Sequence, residues 1–126
     1  MPRGHRWKTE FAEERVPSSE REVARVGCEL AEVLGVDLIG TITMSGETAR
    51  FAASHRPTRP ILAVTPNRDT YRRLSLVRGV EPILFSCDSE TADETVEKAV
   101  EALRNRGWSD KKGVFISRDR VRVGQV

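Results

Sequence analysis

The stretch Thr41-Ile-Thr-Met-Ser-Gly-Glu-Thr-Ala-Arg50, followed by His55-Arg-Pro-Thr-Arg-Pro-Ile-Leu-Ala-Val-Thr65, decides the fold. It reads as the end of a buried strand, a tight Ser-Gly turn, a helix start, and a second buried strand after two prolines. Leu38–Ile42 and Pro60–Val64 are short and almost continuously apolar, as suits parallel strands covered on both faces. Pro57 and Pro60 stop the intervening helix, predicted from Gly46 to His55.

Working outward, the same alternation continues. Upstream, Ser18 or Ser19 caps a helix whose first turn carries Glu20 and Glu22. Val23, Val26, Gly27, Leu30, Ala31 and Leu34 recur at helical spacing, and Gly35 closes the helix. Downstream, Thr65-Pro-Asn-Arg-Asp69 reads as a second strand-to-helix turn, with a helix running to Gly79. Val80–Phe85 is a strand, and Asp88 opens a helix through Arg106 with Val96, Ala99, Val100 and Leu103 inward. Gly113–Ser117 is a strand, and Arg120–Val123 alternates like an edge strand. Helices alternating with buried strands predict an α/β fold, a three-layer α/β/α sandwich on a mostly parallel sheet. Residues 1–17 read as an N-terminal extension or linker in which Trp7 and Phe11 pack back on the domain; residues 18–126 form the domain.

At 126 residues, the chain is long enough to bury a core without metals or disulfides. A net charge of +2, with arginines scattered among acids, gives no footprint for nucleic acid. No apolar run approaches the roughly 18 residues of a membrane span, and Met1–His5 lacks a signal peptide's apolar core. Cys28 and Cys87 lie far apart with no companion histidines, which predicts reduced thiols in a cytoplasmic protein.

The candidate site is the turn itself. Thr43, Ser45, Gly46 and Thr48 bring hydroxyls and backbone N–H groups to a helix N-terminus, where the helix dipole favours a phosphate or carboxylate. Two readings stay open: an anion cradle, or a turn whose hydroxyls satisfy its own N–H groups. Arg50 either leans over the anion or pairs with a neighbouring acid. His5 and His55 stand in no catalytic pattern, and Asp93, Glu94, Glu97, Lys98 and Glu101 read as a solvated helix face. Arg118, Arg120 and Arg122 read as a charged edge that resists aggregation.

From about Ser19 to Ser117 the chain resembles the C-terminal α/β domain of pyruvate kinase. The words that carry the resemblance are Thr43-Met-Ser-Gly-Glu-Thr-Ala-Arg50, Arg56-Pro57, Pro60-Ile-Leu-Ala-Val-Thr-Pro-Asn67, Arg73-Leu-Ser-Leu76 and Gly79-Val80, with Ala24–Ala31 upstream. The resemblance implies a regulatory domain without catalytic residues. In that family the Mg²⁺ and K⁺ ligands, the catalytic lysine and the phosphate-binding arginine belong to a TIM barrel or its lid, which leaves no cofactor for this chain. It implies that Thr43, Ser45, Gly46 and Thr48 keep the hydroxyl and backbone parts of a cradle for a phosphorylated metabolite such as fructose 1,6-bisphosphate, in a candidate effector site that also takes in Glu47 and Arg50. Met44 stands where some activator-binding members carry lysine and Glu47 where they carry arginine or a neutral residue, and the sequence after Ser117 departs from the loop and strand that close the pocket. The implied partners are an inorganic anion or phosphorylated small molecule, a second copy across a two-fold interface, or a barrel-containing pyruvate kinase chain. The alternative function is a subunit or fragment of a split pyruvate kinase, active in glycolysis only beside a separate barrel.

Overall fold

Four of the short apolar runs become parallel neighbours in one sheet, because each is flanked by turn residues and followed or preceded by an amphipathic helix. The computed structural model describes residues 14–15, 19–86, 92–117 and 120–126. In chain order the elements are β1 (Glu14–Arg15), α1 (Glu20–Leu34), β2 (Leu38–Ile42), α2 (Glu47–Ser54), β3 (Ile61–Thr65) and α3 (Arg68–Leu74). There follow β4 (Val80–Leu84), α4 (Ala92–Leu103) with a π-helical turn over Arg104–Trp108, β5 (Lys112–Ser117) and β6 (Arg120–Gln125).

The strand order is β1-β6-β5-β2-β3-β4. β2 lies parallel to both β3 and β5, with Ile39 opposite Ile61 and Val114, and β4 lies parallel to β3. β6 is antiparallel to β5, and β1 is antiparallel to β6. Alternation along the strands divides the core into two layers. Ile39, Ile61, Val114 and Ile116 face Val23, Cys28, Ala31 and Ala52 of α1 and α2, while Leu38, Leu62, Val64 and Phe115 face Val96, Ala99, Val100 and Leu103 of α4. Ala63 meets Leu74 of α3 on the α1–α2 side. The result is the three-layer α/β sandwich on a mostly parallel sheet that the sequence predicts.

Differences from the sequence reading are local. Ser19 occupies the N-cap position of α1 with extended backbone, yet its hydroxyl makes no capping hydrogen bond among the described residues; Ser18 lies outside them. Gly35 closes α1 at φ 67°, its N–H donating to the Ala31 carbonyl at 2.9 Å. The helix expected to reach Gly79 stops at Leu74, because the next residues tighten into successive turns that leave Leu76 88% exposed and bring Val77 and Val80 onto Leu74. α4 is described from Ala92, so the Asp88 cap lies outside the described residues, and Gly107 at φ 93° ends the turn that follows.

β6 is longer than expected and is not the sheet edge along its whole length. Glu14 and Arg15, within the stretch read as an extension, pair with Val121 and Arg120. The true outer strand at the other side is β4, where Pro82 is accommodated because only β3 pairs with it.

Candidate anion site at the β2–α2 turn

β2 sits between β3 and β5, so the chain leaves it first towards β3 and β4 and returns through α4 to the other side. In open α/β sheets, a strand flanked in this way opens a crevice beyond its C-terminal end. The turn Thr43–Gly46 follows that end of β2, where Ile42 is in register with Ser117 of β5 on one side and Val64 of β3 on the other.

Local chemistry fixes the turn. Thr43 is buried, its N–H donating to the Val64 carbonyl at 3.1 Å, and its hydroxyl accepts the Gly46 N–H at 2.8 Å. Ser45 is exposed, and its hydroxyl accepts the Glu47 N–H at 3.3 Å. Gly46 stands at φ 89°, and a β-carbon there would sit 3.2 Å from Thr70 Cγ2 and 3.3 Å from Leu74 Cδ2. Glycine therefore meets two demands, a left-handed backbone and close approach to α3. Thr70 ties the two segments together, its hydroxyl donating to the Met44 carbonyl. Met44 itself projects to solvent at 61% exposure.

The structure brings Thr43, Ser45, Gly46 and Glu47 together but turns Thr48 and Arg50 elsewhere. Thr48 is buried and its hydroxyl donates to Glu20 Oε2 of α1 at 3.3 Å. Arg50 is exposed and approaches Glu47 Oε2 at 3.6 Å, so it pairs with the neighbouring acid. α2 starts at Gly46 with no side-chain capping bond among the described residues. The first-turn N–H groups of an α-helix have no partner within the helix; here Thr43 takes the Gly46 N–H and Ser45 the Glu47 N–H, which leaves those of Thr48 and Ala49 without a hydrogen bond among the described residues. Residues that the sequence reading left out also shape the site: Glu20 and Thr70, which come from distant segments and carry no local signal.

The other candidates are structural. Cys28 is buried, its thiol donating to the Ala52 carbonyl at 3.7 Å, and burial, with Glu32 and Glu29 adding to it, pushes the thiol up to about 11. It is not a thiolate at neutral pH. His55 ends α2, donating its backbone N–H to the Ala52 carbonyl. Glu94, Glu97, Lys98 and Glu101 are exposed. His5, Trp7, Phe11, Cys87 and Arg118 lie outside the described residues. Among the described residues no group of three His, Cys, Asp or Glu side chains could hold a metal ion, and no helix is long and apolar enough to cross a membrane.

Comparison with known proteins adds to this geometry. Residues 21–126 match the family model of the pyruvate kinase alpha/beta domain. The chain is similar to the pyruvate kinase of Thermotoga maritima, 40% identical over 89 residues that cover 70% of this chain and 19% of the relative. Pyruvate kinase 2 of a Synechocystis species is 42% identical over 72 residues, covering 57% of this chain and 12% of the relative. A pyruvate kinase structure from Cryptosporidium parvum superimposes with a TM-score of 0.72 over 89% of this chain and 23% of its own, at 22% identity, a likeness of fold. The chain thus spans about a fifth or less of the length of the relatives it matches.

Proposed function

This chain belongs to the pyruvate kinase family as its α/β domain, and on that premise we propose that it is the non-catalytic, regulatory part of a cytoplasmic pyruvate kinase, holding a phosphate-bearing metabolite at the β2–α2 turn. The observation that carries the reading is the start of α2, where a glycine without a side chain stands at the N-cap position beyond the C-terminal end of β2. The N–H groups of Thr48 and Ala49, the weakly held Glu47 N–H and the positive end of the helix dipole favour an anion there. Phosphoryl transfer itself needs metal ions and cationic clamps around the moving group, and a single turn does not supply them. Binding is expected to be weak, because Met44 brings no charge and Glu47 brings the wrong one.

Titrating the full chain with phosphate and with fructose 1,6-bisphosphate tests the site. The amide resonances of Ser45–Thr48 are expected to shift and saturate in the millimolar range. No shift at those residues leaves a structural turn only.

The short span of this chain against its relatives favours a second reading, in which it works only when joined to a barrel. Given Mg²⁺, K⁺, phosphoenolpyruvate and ADP, the chain alone is then expected to show no turnover, and mixing with a barrel-only chain to restore it. Self-association along β6 is the third contact proposed, since among the described residues β1 pairs only with Arg120 and Val121 of that strand. Sedimentation at high concentration that shows only monomer removes it.

A further inference from the structure

An open cavity of about 1140 Å³ lies between the C-terminal half of α2, the loop 56–60 and the α3–β4 connection. Its lining includes Arg50, Arg56, Arg59 and Arg78 and, among the described residues, no aspartate or glutamate. In a chain with 21 basic and 19 acidic side chains, this is a local concentration of one sign. Other arginines are spent on carboxylates: Arg25 meets Glu22 at 2.8 Å and Glu29 at 3.1 Å, and Arg72 meets Asp69 at 3.3 Å. Among the described residues the side chains of Arg56 and Arg78 make no hydrogen bond or ion pair.

The nearby charges are accounted for. Glu47 lies 3.6 Å from Arg50, and Glu32 accepts both the Thr58 N–H at 3.0 Å and its hydroxyl at 2.8 Å, which holds that carboxyl below its usual range. Arg59 donates to the Thr58 hydroxyl at 3.3 Å, while its Nε is buried without a partner among the described residues. The loop is stiff where it presents these groups. Arg56 is held at φ 48°, in the left-handed region, and is followed by Pro57 and Pro60. Ala53, Pro57, Ile61 and Val77 supply an apolar floor.

We infer that this arginine-lined cavity binds a small polyanion carrying two or more phosphate groups, at a site separate from the β2–α2 turn. Arginine forks recognise phosphate oxygens in pairs of hydrogen bonds, and several on a preorganised wall match a ligand with several phosphates. The cavity is of the size of small-molecule sites and far larger than one phosphate needs. It also lies at the N-terminal ends of β3 and β4, whereas the turn lies at the C-terminal end of the parallel β2.

The probe is inorganic tripolyphosphate added to the full chain at constant ionic strength, followed by amide and arginine side-chain NMR. Saturable shifts confined to residues 56–60 and 77–79 are expected, beside any response of Ser45–Thr48. Arg56→Gly, which glycine's tolerance of positive φ keeps foldable, and Arg78→Gln on the exposed connection are each expected to weaken binding at the cavity at least about fivefold, leaving the turn's response intact. Unchanged affinity in both variants overturns the site, as do equal shifts at Arg21, Arg25, Arg72 and Arg73. Citrate binding as tightly overturns the phosphate assignment, and a polyglutamate peptide binding more tightly assigns the surface to an acidic protein segment instead.

Discussion

The two turns that leave β2 and β3 share a plan up to the point where their helices begin. In each, a threonine at the end of the strand turns its hydroxyl back to accept a backbone N–H, Thr43 from Gly46 at 2.8 Å and Thr65 from Asn67 at 3.1 Å. They then diverge. Asn67 caps α3, its Oδ1 accepting the Thr70 N–H at 2.9 Å, whereas Gly46 has no side chain to offer α2. α3 uses its Thr70 N–H on its own cap, whereas α2, with its Glu47 N–H held only at 3.3 Å by Ser45, keeps the N–H groups of Thr48 and Ala49 without a side-chain acceptor among the described residues. The glycine is there for a steric reason too, since Thr70 and Leu74 of the self-capped helix press against it. The closed turn thus helps shape the open one.

The largest test of this contrast is Gly46→Val. The left-handed backbone penalises any β-carbon, and the contacts at 3.2 and 3.3 Å leave no room for a branched one. A stability loss of about 2–4 kcal/mol is expected from strain and overpacking together, read by urea denaturation, with the Ser45–Thr48 anion response abolished. A loss no larger than that of an ordinary surface substitution would show that the turn does not need glycine, and the comparison would fail.

Next in size is the cap. Asn67→Ala is expected to lower stability by about 1 kcal/mol, because the Thr70 N–H loses its acceptor. Ser45→Ala, at an exposed residue whose hydroxyl accepts only a long 3.3 Å bond, is expected to cost under about 0.5 kcal/mol. Equal losses in the two variants would mean that Ser45 closes α2 as firmly as Asn67 closes α3.

How far the sequence carried this contrast depends on the range of the interactions. β2 was legible residue for residue at Leu38–Ile42 because a parallel, doubly covered strand leaves a continuous apolar run between turn residues. The glycine of the β2–α2 turn was legible for the same local reason. The hydrogen bond from Thr70 to Met44 and the one from Thr48 to Glu20 were not, since each joins residues 26 or 28 positions apart and a hydroxyl's partner leaves no mark on periodicity. The pairing of Glu14–Arg15 with β6 was missed because two residues are too short to show alternation. Arg50 was left between two roles, and its spacing of three from Glu47 brings it within 3.6 Å of that carboxylate on one helix face.

Glu47 is where that ion pair and the open helix start meet, and it gives the smallest but most diagnostic effect. The carboxylate at the first helical position stabilises α2 through the dipole and through Arg50, while repelling any anion that docks at the turn. Glu47→Arg reverses all three terms at once. Stability is expected to fall by about 0.5 kcal/mol, the usual scale for an exposed charge at a helix end. Phosphate affinity at Ser45–Thr48 is expected to rise roughly threefold to tenfold, since repulsion is replaced by charge-assisted hydrogen bonds and Arg50 is released. Glu47→Gln should fall between the two in both respects. Opposite signs in denaturation and in the amide titration are the signature of a helix start whose donors face a ligand. A variant that loses stability without gaining affinity would instead leave the β2–α2 turn as self-contained as its neighbour.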